Sequence, residues 1–137
     1  LFFFNDPPPT EIYPLSLHAA LPIYFMGDAA FGMVGLDFET AVRSNIPIIT
    51  VVLNNSTMAV ETMQMADSHG LYGARDLGGN YADLGKAMGG YAERIEDPSQ
   101  ISAAFTRARK VTEEEGKAVL LEFITSEETE LSHRRAF

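Results

Sequence analysis

The sequence has no cysteine, which removes disulfide scaffolds, zinc–thiolate sites and thiol nucleophiles from consideration. Tryptophan is absent as well, so the aromatic complement is nine Phe and five Tyr. Basic residues are scarce: 10 Lys and Arg stand against 19 Asp and Glu, for a formal net charge of −9. A chain of that sign has no electrostatic footprint for nucleic acid. No apolar run reaches the length of a membrane span, so no membrane partner is expected. The cysteine-free, acidic composition fits the cytoplasm.

The first 23 residues lack Lys and Arg altogether, yet they hold five of the seven prolines and three of the nine phenylalanines. They show neither a period-two nor a period-3.6 apolar pattern. Without a basic start, and with its apolar stretch broken by Pro7, Pro8, Pro9 and Pro14, the segment is not a secretory signal. It resembles a translated sequencing adapter, since Ala20-Leu21-Pro22-Ile23 is what GCTCTTCCGATC encodes in frame. Residues 1–23 are therefore set apart as non-native, with a natural Pro-rich linker as the plainer alternative. The expected organisation is a partial α/β domain over 24–127 and a polar tail over 128–137.

Alternating elements fill that domain. Tyr24-Phe25-Met26 reads as the tail of a strand whose beginning is missing. Met33–Ser44 reads as one helix, with Val34, Phe38, Ala41 and Val42 near helical spacing and Asn45 and Pro47 ending it. Ile48–Leu53 is apolar nearly throughout, as a strand covered on both faces requires. Glycines break Met58–Asn80 into short helix and loop. Tyr81–Met88 predicts a helix with Leu84 and Met88 on one side, and Tyr91–Ile95 a short strand. Asp97-Pro98 predicts a helix start. The stripe Ile101, Ala104, Phe105, Ala108 and Val111 carries that helix to about Glu115, before a second buried strand over Val119–Ile124. Strands alternating with helices mean α/β, a parallel sheet with helices on both faces.

Two dipeptides bracket the first strand–helix–strand unit. Asp28 of Gly27-Asp28 and Asn55 of Asn54-Asn55 are 27 residues apart, a length that fits one βαβ turn. Residues just past the carboxyl ends of parallel strands meet at one edge of the sheet, where such sheets bind ligands. A carboxylate, an amide oxygen and backbone carbonyls there make a hard oxygen site suited to Mg²⁺. Either dipeptide alone is an ordinary turn or strand exit; the pair around a fitting strand is what carries weight. Gly27 would let the chain turn sharply, and the small Ala29 and Ala30 would let their amides approach a phosphate at the first turn of the helix.

The stretch GDAAFGMVGLDFETAVRSNIPIITVVLNN resembles the metal and diphosphate motif of thiamine-diphosphate-dependent enzymes: Gly-Asp-Gly, a spacer of about this length, and Asn-Asn. NYADLGKAMGGYAERIEDP and AVLLEFIT make the acetolactate synthase-like branch the most similar. Ala29 departs from the pattern, standing where the family usually has its second glycine. The resemblance implies a thiamine-diphosphate-binding fold, truncated at its N-terminus, with thiamine diphosphate and Mg²⁺ as cofactors. It implies Asp28, Asn55 and the main-chain carbonyl of Thr57 as metal ligands, and Gly27, Asp28, Ala29, Ala30, Asn55, Thr57 and Met58 around the cofactor.

For the parent enzyme the resemblance implies decarboxylation of a 2-oxo acid such as pyruvate and transfer of the two-carbon unit, in a homodimer or homotetramer. The glutamate that activates the aminopyrimidine belongs to another domain in such enzymes, so the chain alone would catalyse nothing. Glu61 stands where some related decarboxylases place a proton-transfer glutamate, although a solvated helix residue is the plainer reading. His69 is a loop histidine that could touch substrate but more often would simply be exposed. Met58, Met63 and Met65 suit either core filling or an apolar wall around the cofactor. Glu113-Glu114-Glu115 and Arg134-Arg135 read as solvated charge. Two alternatives stay open: a non-catalytic phosphate-ligand module, and an inactive truncated reading frame. The first is weakened because no Gly-x-Gly-x-x-Gly or Walker-type motif follows the first strand.

Overall fold

The computed structural model describes residues 21–127. The polar tail and all but the last three residues of the adapter-like segment lie outside them, as do Arg134 and Arg135.

The chain runs β1 (Ile23–Gly27), α1 (Asp28–Val34), α2 (Asp37–Arg43), β2 (Ile49–Asn54), a 3-10 turn (Ala59–Glu61), α3 (Ala66–Tyr72), α4 (Tyr81–Ala87), β3 (Tyr91–Ile95), a second 3-10 turn (Pro98–Gln100), α5 (Ile101–Glu115) and β4 (Val119–Ile124). All four strands are parallel, in the order β1-β2-β4-β3. The expected α/β class and parallel sheet are present. Gly27 pairs with Leu53 and Leu53 with Phe123, so the carboxyl tips of three strands align at one edge.

The central strands β2 and β4 are buried almost throughout, and alternate side chains feed two cores. Ile49, Val51, Val119, Leu121 and Phe123 face α5, where Ala104, Ala108 and Val111 let the helix approach closely. Val52, Leu120 and Ala92 face the other way, against Phe31, Phe38, Tyr81 and Ala82 of α1, α2 and α4. Helices therefore cover both faces. The start of β1 is tied in as well: the Pro22 carbonyl accepts a bond from the Ile49 amide at 3.1 Å, and Leu21 packs partly buried against the α5-side core.

Three local expectations need correction. The helix read over Met33–Ser44 is two helices, the first of which starts at Asp28 and ends at Val34. The break falls at Gly35, where a Cβ would sit 2.6 Å from the Phe31 ring, so the glycine serves the packing of Phe31 rather than a continuous helix. On α4 the buried side is Tyr81, Ala82 and Gly85, while Leu84 is exposed. A Cβ at Gly85 would lie 3.1 Å from the Ala92 Cβ and 3.2 Å from the Leu120 Cβ, so it is this glycine that brings α4 onto the sheet. On α5 the buried stripe begins at Ala104, and Ile101 is 39% exposed.

Candidate functional site

The strand tip at β1 passes directly into α1. Gly27 is extended (φ −78°, ψ 166°), a conformation any residue adopts, and a Cβ there would meet nothing within 4 Å. Neither backbone nor packing within the described chain demands a glycine at 27. What it leaves is open space beside Asp28, suited to the close approach of a ligand. Ala29 is helical, so the departure from a second glycine costs the backbone nothing.

Asp28 is buried, at 3% exposure. Its two carboxylate oxygens accept only neutral donors: Oδ1 from the Ala29 amide at 2.9 Å and Oδ2 from the Ser56 amide at 2.7 Å. Among the described residues no Lys, Arg or His pairs with it. A buried carboxylate without a counter-charge is costly unless something positive joins it. This chemistry fits a cation.

The Ser56 bond is what joins the two strand tips. Ser56 has φ +58°, a left-handed conformation uncommon for a residue with a side chain. Its amide is shared between Asp28 Oδ2 and Asn54 Oδ1, the latter at 3.0 Å, and its hydroxyl also donates to Asn54 Oδ1 at 3.2 Å. Three acceptor contacts thus hold the kink in place. Next to it, Asn55 Oδ1 accepts from the Thr57 amide at 3.1 Å, closing a short side-chain turn. Thr57 pairs with Asp76 in an isolated antiparallel bridge, with bonds running from Met58 N–H to the Arg75 carbonyl and from Leu77 N–H to the Ser56 carbonyl. That pattern leaves the Thr57 carbonyl unused among the described residues, and the buried Thr57 hydroxyl has no partner either. Spare oxygens stand beside a lone buried acid.

Sequence reasoning missed the group behind these tips. Glu122 is fully buried in the middle of β4. Its Oε1 accepts from Asn54 Nδ2 at 2.7 Å and from an Arg94 guanidinium nitrogen at 3.0 Å, and its Oε2 accepts from the Ala82 amide at 2.9 Å. That last bond satisfies a free amide in the first turn of α4, while the Asn80 side chain caps the Asp83 amide at 3.0 Å. Burial first, and then the charges of Asp28 and Glu122, push the Tyr81 hydroxyl above its usual range. Its ring stands edge-on to Phe31 at 5.3 Å.

The other candidates are spread more widely. Ala30 is exposed as the third residue of α1, and the Ala29 amide is already committed to Asp28. Met58 is half-buried at the bridge, and Met65 half-buried before α3. Met63 is 86% exposed, so it fills no core among the described residues. Glu61 is exposed on the first 3-10 turn, with no side-chain bond to the described residues. His69 sits in α3 with Nδ1 3.9 Å from Asp76, on the loop side of the bridge. Arg75 anchors that loop, donating to Thr62 at 2.6 Å and Glu127 at 2.8 Å. A separate cavity of about 270 Å³ lies beneath β1, lined among others by Tyr24, Met26, Phe31, Phe38 and Thr50, and Asp28 and Asn55 are not part of its wall.

Residues 16–123 match the family model of the thiamine pyrophosphate enzyme, C-terminal TPP binding domain. The chain belongs to that family. This thiamine pyrophosphate enzyme domain is 30% identical over 102 residues to the acetolactate synthase large subunit IlvG of Mycobacterium tuberculosis, covering 70% of the chain and 19% of that protein. It is 29% identical over 111 residues to the sulfoacetaldehyde acetyltransferase of Alcaligenes xylosoxydans xylosoxydans, covering 77% of the chain and 18% of that protein. Among solved structures it is similar to the thiamine diphosphate-dependent 4-hydroxybenzoylformate decarboxylase of Rhodococcus jostii RHA1. That likeness has a TM-score of 0.70 at 19% identity, over 85% of this chain and 22% of the other. The benzoylformate decarboxylase of Polynucleobacter necessarius gives a TM-score of 0.71 at 19% identity, with the same coverage. At such identities the structures speak for the fold. The chain spans about a fifth of the length of the curated relatives it matches. No helix among the described residues is long and apolar enough to cross a membrane.

Proposed function

We propose that this domain holds the diphosphate of thiamine diphosphate through Mg²⁺, with Asp28, the Asn55 side-chain oxygen and the Thr57 main-chain carbonyl as the protein ligands. The observation that carries the reading is the buried Asp28 carboxylate, which has only neutral amide partners among the described residues and lies one hydrogen bond from the second strand tip. One charged and two neutral oxygens leave coordination positions for phosphate oxygens and water, the arrangement Mg²⁺ favours. A single acid also suits a ligand that brings its own negative charge. Among the described residues no set of three His, Cys, Asp or Glu gathers as an all-protein metal cage, in keeping with a cation shared with a phosphate ligand.

When bound, thiamine diphosphate supplies the electron sink for cleaving or forming a bond next to a carbonyl. The residues of this chain position it: Gly27 leaves room, Asp28 holds the cation, and Ser56 locks the two tips together. The family and its relatives, a synthase and an acetyltransferase, support a parent enzyme of the acetolactate synthase-like branch. Such an enzyme would decarboxylate a 2-oxo acid and act as carboligase or lyase, as a homodimer or homotetramer in the cytoplasm. Binding without a group that acts in the transition state does not accelerate a reaction. The chain alone is accordingly expected to release no carbon dioxide from pyruvate above a cofactor-only control.

Titration calorimetry with thiamine diphosphate tests the binding site. Heat of binding is expected in the presence of Mg²⁺ and not in EDTA. Asp28→Asn should abolish it, and because the amide keeps one oxygen for the two backbone donors and turns its NH₂ toward the other, urea denaturation should show a loss of about 1–3 kcal/mol. Unchanged affinity in Asp28→Asn would contradict the metal assignment.

A further inference from the structure

A carboxylate at zero exposure in the centre of an apolar strand is a costly thing to keep, and the three donors around Glu122 show what it controls. An ionised carboxylate only accepts hydrogen bonds. Facing Asn54, it can receive only the Nδ2 end of that amide, at 2.7 Å. The Asn54 amide therefore cannot flip, and its oxygen is forced to the opposite side, where it accepts the Ser56 amide at 3.0 Å and the Ser56 hydroxyl at 3.2 Å. The same Ser56 amide donates to Asp28 Oδ2 at 2.7 Å. An unbroken chain of contacts runs from Arg94 through Glu122, Asn54 and Ser56 to Asp28. It links β3, β4, β2 and the first residue of α1, and Ser56 holds its left-handed backbone at the point where the chain reaches the site.

We propose that Glu122 is a positioning residue for the Asp28 site: by fixing which way the Asn54 amide points, it sets the Ser56 kink and with it the Asp28 carboxylate and the adjoining Asn55–Thr57 turn. Glu122 touches no ligand itself. Its other bond, to the Ala82 amide, makes the same carboxylate register α4 against the sheet, so the helix and the site share one anchor. The step from the Ser56 kink to cofactor affinity rests on the function proposed above. The step from Glu122 to Ser56 does not.

The test uses the full 137-residue chain and Glu122→Gln, which keeps the side chain's size but offers a donor where three donors already point. Val111→Ala, in the core on the opposite face, serves as the control for a loss of stability alone. Amide hydrogen exchange at Ser56 is expected to speed up about tenfold or more in Glu122→Gln and to stay unchanged in Val111→Ala. The affinity for thiamine diphosphate with Mg²⁺ is expected to fall about 10- to 100-fold in the first and not in the second, the range seen when a supporting partner behind a metal ligand is lost. A Ser56 amide as protected in Glu122→Gln as in wild type would overturn the proposal.

Should Glu122→Gln not fold, Asn54→Ala breaks the same link from its other end, and an unchanged Ser56 amide there would overturn the proposal equally. Equal losses of affinity in Glu122→Gln and Val111→Ala would also overturn it, reducing Glu122 to a stability residue. A wild-type chain that binds no thiamine diphosphate would defeat the function proposed above, and the exchange measurement would then decide the Glu122 link by itself.

Discussion

Among the described residues the sheet has two edges, and they are finished in different ways. At β3 the charged side chains are paired: Glu93 takes two bonds from the Arg107 guanidinium, at 2.8 and 2.6 Å, and a third from the Tyr91 hydroxyl, while Arg94 bridges Glu96 and the buried Glu122. Helix α4 seals the inner side through Gly85. At β1 the exposed side chains are Ile23, Tyr24 and Phe25, at 46%, 50% and 57%, and the strand carries no charge. Charged edges resist pairing with another strand, whereas a flat apolar edge invites it. The contrast teaches that the candidate site spans both regimes. Asp28 continues the exposed, apolar strand, while the Ser56 amide it accepts is shared with Asn54 at the end of buried β2.

The largest effect that would sharpen this contrast is a pair of truncations. Leu120→Ala, in fully buried β4, should lower stability by about 2–5 kcal/mol. Phe25→Ala, on β1, should change it by no more than about 0.5 kcal/mol. Urea denaturation of both variants gives the comparison, and equal losses would mean that β1 is as well packed as β4.

Next in size, Gly85→Val should cost about 1–3 kcal/mol by forcing α4 off Ala92 and Leu120. The same substitution at Gly27 should leave stability nearly untouched, since nothing within the described chain fills that space. Cofactor titration of Gly27→Val would then report whether a ligand does.

A smaller effect concerns pH. The hydrogen bonds from Arg107 hold the Glu93 carboxyl below its ordinary range. A folded-state value below the unfolded one means that the pair stabilises the fold above the ordinary carboxylate range and loses that contribution as pH falls through the folded value. Arg107→Ala should therefore lower the urea midpoint at neutral pH, less than Leu120→Ala does, and converge with wild type in acid. A gap that persists at low pH would assign the effect to packing of the arginine stem instead.

The smallest change in stability is expected from Phe25→Lys, which places a charge on β1, the apolar edge strand among the described residues. Its readout is association: sedimentation at rising concentration should show less self-association than wild type. Indistinguishable profiles would mean that the β1 edge is not sticky.

Strand β4 was legible residue for residue and β2 to within one position because buried parallel strands are short apolar runs, whereas β3, which carries Glu93 and Arg94, was bounded by Gly89-Gly90 before it and Asp97-Pro98 after it. The split of the first helix was not, since it depends on where the Phe31 ring lies against Gly35, a contact that periodicity does not encode. Leu84 was misplaced for a related reason: Gly85 buries a face by having no side chain, so the pattern of large apolar residues pointed to the wrong side.

At the site, the nearness of the first two strand tips followed from strand geometry alone, whereas the bond that joins them comes from the Ser56 amide and not from Asn55, whose side-chain oxygen accepts from Thr57. Glu122 escaped because its side-chain partners Arg94, Ala82 and Asn54 are 28, 40 and 68 residues away. One signal was present, a single acid inside the otherwise apolar run Val119-Leu120-Leu121-Glu122-Phe123-Ile124. A buried charge in such a run asks for partners.

On the function proposed above, a divalent cation carrying thiamine diphosphate sits where the tips of β1 and β2 meet. Replacing Mg²⁺ with Mn²⁺ and recording amide NMR spectra of the chain with thiamine diphosphate tests this most directly, because the paramagnetic ion broadens the resonances nearest to it. Broadening is expected to centre on Asp28, Ala29 and Asn55–Thr57 and to be lost in Asp28→Asn. Broadening centred instead on exposed acids such as Glu113–Glu115, or unchanged in Asp28→Asn, would contradict it.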